Sequence, residues 1–129
     1  MIRARKGFTL VEIMIVVAII ALIATIAIPN LFRARVQANE SGAKASLKLI
    51  SNAMESYYSI HNVYPVDPSV LIGDSPPYLN KDFFTGTHSG YNFTHALQQY
   101  SYSVTAVPAT GGTGYGSFTI STGAIMVEN

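Results

Sequence analysis

From Phe8 to Ile28 the chain reads FTLVEIMIVVAIIALIATIAI, twenty-one residues in which Glu12 is the only charge. As a helix this run is about 30 Å long at 1.5 Å per residue, the thickness of the hydrocarbon core of a bilayer. In a chain of 129 residues it leaves room for one modest domain, so the expected layout is a spanning helix followed by a small head. Arg3, Arg5 and Lys6 crowd the seven residues before the run. Because Lys and Arg stay on the cytoplasmic side, the N-terminus is expected inside and the hundred or so residues after the helix outside. Arg33 and Arg35 pull the other way but do not outweigh the leader.

Two simpler readings fit less well. A secretory signal has an apolar region of about 7 to 15 residues ending at a small-x-small cleavage site; here the run is longer, and Ala24-Thr25-Ile26-Ala27 has the wrong spacing. A plain single-pass anchor does not explain Glu12, since a carboxylate inside hydrocarbon costs about 2.5–3.5 kcal/mol and marks a functional pairing. The apolar run holds no cation to meet it. A cut between Gly7 and Phe8 would create one, a new amino group about 6 Å of helix rise from Glu12. That amine is reached more easily from a neighbouring, axially shifted helix, which makes Glu12 a register pin between subunits.

The stretch Lys6-Gly7-Phe8-Thr9-Leu10-Val11-Glu12, with its short basic leader, the long apolar helix and Pro29 just past it, resembles the processing motif of the type IV pilin and type II secretion pseudopilin superfamily. The resemblance implies that a membrane-embedded prepilin peptidase cuts between Gly7 and Phe8 on the cytoplasmic side and methylates the amine of Phe8. It implies Glu12 as the assembly glutamate. It also implies as partners a homopolymer built through N-terminal helices, an inner-membrane platform protein and a cytoplasmic ATPase. The motif covers roughly the first thirty residues and the helical continuation extends the likeness to nearly half the chain. The absence of cysteine departs from the many type IV pilins whose C-terminal loop is closed by a disulfide.

After Pro29 the pattern turns amphipathic. Ala43, Leu47, Ile50, Met54 and Tyr57 recur at steps of three and four, while Lys44, Lys48, Asn52 and Glu55 take the other side. One helix is expected to continue to about Ser59, kinked or loosened at Pro29, which lacks an amide hydrogen. Gly42 is a second weak point, costing about 1 kcal/mol relative to Ala, so melting between Ala24 and Gly42 could lengthen a packed subunit. Val63-Tyr64-Pro65-Val66-Asp67-Pro68 ends the helix and opens a loop to about Gly90, with a helical turn at Pro68-Ser69-Val70-Leu71. Tyr91 to Thr94, Tyr100 to Val107, Ser117 to Ser121 and Ala124 to Val127 read as strands of an antiparallel meander. The fold class is therefore α+β, a long N-terminal helix packed on a small antiparallel meander. The layout is leader 1–7, spanning or filament-core helix 8–28, amphipathic continuation 29–60, loop 61–90 and sheet 91–129.

Chemistry is sparse. His61, His88 and His95 show no metal-ligand spacing, no nucleophile elbow is present, and Thr110 to Gly116 lacks the Lys-Ser/Thr ending of a phosphate loop. No enzyme, no cofactor and no metal are expected. Asp67, Asp74 and Asp82 lie in the long loop, where some pseudopilins of the resembled superfamily hold calcium, but scattered carboxylates are usually just solvated. Asn39-Glu40-Ser41 and Asn92-Phe93-Thr94 match the N-glycosylation pattern weakly. Eight Tyr and six Phe fall at helix and sheet spacing and read as core rather than as a conduction path. With the leader removed, five Lys and Arg face seven Asp and Glu, a charge of about −2 that does not favour nucleic acid. The expected role is a structural subunit drawn from an inner-membrane pool into a cell-surface filament. A type II secretion pseudopilin and a minor tip or adhesin pilin stand as alternatives.

Overall fold

The computed structural model describes residues 7–111 and 113–129. The basic cluster Arg3, Arg5 and Lys6 lies outside the described residues, as does Gly112 of the glycine run. The chain forms two compact units, one ending at Ala34 and the other comprising Arg35–Asn129. Helix α1 spans Leu10–His61 and α2 spans Ser69–Gly73. The strands are β1 (Thr87–His88), β2 (Tyr91–Gln98), β3 (Ser101–Pro108), β4 (Phe118–Ser121) and β5 (Ile125–Glu128). They pair in the order β1-β2-β3-β4-β5, every neighbour antiparallel. The fold is α+β, one long helix and a meander.

Up to Ala34 the helix buries nothing. Sixteen large apolar side chains from Phe8 to Phe32 are each half exposed or more. In the second unit the expected 3.6 period holds: Ala43, Leu47, Ile50 and Met54 are fully buried. They meet the inward residues of the sheet, Tyr91 and Phe93 on β2, Tyr102, Val104 and Ala106 on β3, Phe118 and Ile120 on β4. These alternate along each strand as period-two packing requires. The polar side of the helix is less idle than its charges suggest. Lys44 Nζ lies 3.2 Å from Glu128 Oε2 and 4.4 Å from the centre of the Phe118 ring. Glu55 accepts hydrogen bonds from the hydroxyls of Tyr64 (3.1 Å) and Tyr102 (3.2 Å) and from the amide of Gly123 (3.3 Å). Glu55 thus ties the helix to the sheet, and Lys44 reaches β5 while still 40% exposed.

The boundaries differ from the pattern reading where turn geometry decides. The helix stops because Asn62 takes φ 57° and donates its amide to Tyr58 O, a left-handed cap that Asn tolerates. The expected loop up to Gly90 contains α2 and β1. An aspartate turn, Ser69 N to Asp67 Oδ1 at 2.9 Å, starts α2. The Ser89-Gly90 pair, both at positive φ, closes a two-residue hairpin that creates β1. β2 runs to Gln98 rather than Thr94, because its ladder with β3 continues past the point where side-chain alternation fades. β3 begins at Ser101, one residue after the expected start, and extends to Pro108. β4 begins at Phe118, one residue late, and β5 at Ile125, since Ala124 is held in the turn at φ 59°.

Two glycines are explained by close approach. A Cβ on Gly42 would stand 2.7 Å from Ser89 Oγ and 3.0 Å from its Cβ, so glycine lets the β1-β2 turn lie against the helix. A Cβ on Gly114 would overlap the hydroxyl of Tyr91, which donates to Gly116 O. Gly114 and Gly116 thus lie against the hydroxyl end of the buried Tyr91 ring.

Candidate functional site

The N-terminal segment is built on a local hydrogen-bond constellation around Glu12. Gly7, Phe8 and Thr9 precede the helix in non-helical conformation, and all three are exposed. Thr9 caps α1. Its Oγ1 accepts from the Glu12 amide at 3.2 Å, and Glu12 Oε2 accepts from both Thr9 N and Thr9 Oγ1 at 2.8 Å. This is a reciprocal capping box, in which a threonine and a glutamate three residues on satisfy each other's backbone donors. The T-x-x-E spacing before an apolar run is its sequence signal. Reading Glu12 only as a charge in search of a cation missed it. Within the single chain the carboxylate is therefore occupied by a neutral threonine; among the described residues its Oε1 accepts no hydrogen bond.

The bond between Gly7 and Phe8 lies in this exposed, non-helical stretch, and Phe8 is 84% exposed. Among the described residues, a Cβ on Gly7 would meet nothing within 4 Å. Crowding by the described residues therefore places no demand for glycine at that position.

The segment after the cap presents apolar side chains on every face. Covering a Val, Leu, Ile, Met or Phe side chain is worth about 1.5–3 kcal/mol. For the sixteen exposed here the total is on the order of tens of kcal/mol, far more than a chain of this size gains by folding. The helix is long and apolar enough to cross a membrane. α1 continues through Pro29 without a break. Pro29 leaves the carbonyl of Thr25 without its amide partner, and one turn earlier Thr25 Oγ1 donates to Ala21 O at 2.8 Å.

The other candidates are dispersed. His61 stacks on Tyr57, His88 Nε2 lies 3.1 Å from Thr85 O, and His95 sits edge-on to Phe84. Asp82 accepts from Phe84 N and Thr85 Oγ1, and Asp67 from Ser69 N, so both carboxylates are turn formers held below their ordinary pKa by those bonds. Among the described residues no three acidic, His or Cys side chains converge on a metal-sized site. Asn39 lies inside α1, half-buried, and its amide donates to Thr113 O at 2.9 Å. Asn92 is exposed on β2, with its Oδ1 accepting from Thr87 and its amide nitrogen outward.

Comparison with known proteins falls on the same end of the chain. The family described as Prokaryotic N-terminal methylation motif matches residues 2–28. The chain is 46% identical over 76 residues to the type IV major pilin protein PilA of Myxococcus xanthus, covering 59% of this chain and 34% of that one. It is 43% identical over 70 residues to the type IV wide pilus major component PilA4 of Thermus thermophilus (54% and 53%). Against the type II secretion system core protein G of Aeromonas hydrophila it is 33% identical over 63 residues (49% and 44%). The matches thus span between about a third and about a half of these relatives.

Proposed function

We propose that this chain, which belongs to the type IV pilin and type II secretion pseudopilin superfamily, is a structural subunit of a type IV pilus-like filament. The observation that carries the reading is the wholly exposed apolar segment behind a processing motif. Such a surface needs either lipid or other copies of itself, and a chain that moves from one to the other keeps the same apolar area covered throughout. Transfer from membrane to filament is then close to balanced in hydrophobic energy, and small polar terms decide its direction.

Processing supplies such a term. Cleavage between Gly7 and Phe8 by a prepilin peptidase is supported by the exposure of that bond and by a glycine that steric crowding does not require. The amine of Phe8, methylated by the same enzyme, becomes the cation nearest Glu12. Glu12 leaves its Thr9 contact for the amine of a neighbouring subunit, exchanging a neutral donor for a charged one, and charge-assisted hydrogen bonds are about twice as strong as neutral ones. That exchange sets the axial register. Pro29 provides local loosening for packing.

The inner membrane, with the N-terminus cytoplasmic, holds the pool before assembly, and a platform protein and an ATPase drive extraction. A type II secretion pseudopilin is the second reading, supported by the match to core protein G; the major pilins match at higher identity. The deciding experiment is to shear filaments from cells and determine the N-terminus of the subunit band by mass spectrometry. N-methylated Phe8 as the first residue of an abundant surface filament is the expected result. A chain starting at Met1 and confined to the membrane would overturn the reading, and a processed chain absent from sheared fractions would shift it to the pseudopilin.

A further inference from the structure

Arg33 and Arg35 stand where the sidedness of the helix does not call for them. Cations flanking a spanning helix belong on its cytoplasmic side, and these two follow Phe32 at the other end. Processing sharpens the contrast. A cut between Gly7 and Phe8 removes Arg3, Arg5 and Lys6, which leaves the new amine beside Glu12 at the inner end and both arginines at the outer end. From Phe8 onward these are also the only arginines; the other cations of that stretch, Lys44, Lys48 and Lys81, are lysines.

The chain itself gives them no partner. Both side chains are exposed, and among the described residues the one ion pair is Lys44 with Glu128. Glu40, the nearest carboxylate in sequence, accepts from the Tyr115 amide at 3.1 Å. Their height along α1 supplies the occupant. Glu12 and Arg33 are twenty-one positions apart, about 32 Å of helix rise, against about 30 Å of hydrocarbon. With Glu12 at the inner boundary, Arg33 stands at the outer one, where a headgroup layer about 5–7 Å deep begins. Arg35 follows about 3 Å higher, on nearly the opposite side of the helix. A single protein neighbour meets one side of a helix, whereas a headgroup layer surrounds it.

We propose that Arg33 and Arg35 each bind a lipid phosphate of the outer leaflet and so fix the depth of the processed helix in the membrane. The inference rests on the inner-membrane reading above. Arginine suits the task, because its planar fork takes two phosphate oxygens at once and is more weakly hydrated than an ammonium. The two ends of the helix then act as opposed stops. Sliding inward drags the guanidiniums into hydrocarbon, and sliding outward drags Glu12 in until a neighbour's amine meets it. Since cleavage removes the basic leader, the outer arginines are the cationic anchor that the processed pool retains.

The test uses the processed chain, Phe8 to Asn129, in vesicles of phosphatidylethanolamine and phosphatidylglycerol in phosphate-free buffer. Arg33 and Arg35 are its only arginines, so isotope-labelled arginine reports on them alone, and solid-state NMR measures the distance from Cζ to lipid phosphorus. A distance within about 5 Å is expected, as a guanidinium–phosphate hydrogen bond requires. Depth is a second readout. The chain has no cysteine, so a spin label at Leu31→Cys is unique, and adding Arg33→Gln/Arg35→Gln is expected to sink it by about 5 Å, one helical turn. An integrated chain without carbon–phosphorus coupling, or a label at unchanged depth in the double variant, would overturn this inference alone. So would equal coupling in vesicles of phosphate-free galactolipid supplied with inorganic phosphate, which would give the arginines to any free anion. Absence of coupling together with filament loss in the double variant would give them instead to a neighbouring subunit's carboxylates. A processed chain that alkaline washing strips from the vesicles would overturn the inner-membrane reading and this inference with it.

Discussion

At Gly42 two preferences oppose each other at one atom. Alanine favours a helix by about 1 kcal/mol over glycine, yet its Cβ would press on Ser89, itself at φ 52° where glycine is at ease. Gly42→Ala is expected to lower the midpoint of thermal unfolding, and Gly42→Ala/Ser89→Gly to raise it above the wild type; an additive double mutant would mean that the contact does not matter. Tyr64 offers a second residue-level test. Burial, and then the neighbouring Glu55, push its hydroxyl up to about 12, above the ordinary 10 of an unfolded tyrosine. A raised folded value means that the folded state resists losing the proton. The stabilisation is therefore complete below pH 10 and is lost as pH rises toward 12. In alkaline unfolding titrations Tyr64→Phe is expected to be about 1 kcal/mol less stable near neutrality and to lose much less stability above pH 10 than the wild type. Parallel alkaline curves would show that Tyr64 is not the group responsible.

At the start of α1 two roles of Glu12 separate by chemistry. Glutamine completes a capping box as glutamate does, but carries no charge. Glu12→Gln is expected to keep amide protection at the helix start in detergent micelles while filament yield collapses. Thr9→Val is expected to loosen the helix start by about 1 kcal/mol, roughly fivefold in local protection, with Glu12 still able to meet an amine. Equal filament loss in both would reduce Glu12 to a cap. Further along the element, Pro29 removes one hydrogen bond from a helix that is otherwise continuous. Amides adjoining Pro29 are expected to exchange faster than those ten residues away, and Pro29→Ala to abolish the difference. A uniform profile in the wild type would refute local loosening there.

The whole chain consists of a unit with a core and a unit without one. Residues 35–129 contain the entire core cluster. A fragment starting at Arg35 is therefore expected to be soluble, monomeric and cooperatively folded by circular dichroism and sedimentation, while the full chain needs detergent or polymer. Aggregation of the fragment would mean that the apolar helix also shields the head. The periodicity that made part of the core legible is a local property: Ala43, Leu47, Ile50 and Met54 of α1 follow from their period alone. The apolar run likewise made a helix long and apolar enough to cross a membrane legible, because hydrophobicity and length act without any partner in the fold. Other features were written in the chain but open to more than one reading, such as T-x-x-E, taken for a lone charge, and Ser89-Gly90, taken for loop. What only the tertiary structure decided depends on residues far apart in sequence coming together. It gave Lys44 and Glu55 partners on β5 and among the tyrosines, gave Gly42 and Gly114 their neighbours, and tied up Asn39 while leaving Asn92 open. By setting the strand register it brought Thr94, Thr105, Thr119 and Val127 into one row on the face turned away from α1, since which residues share a face across four strands is a matter of pairing that no single strand encodes.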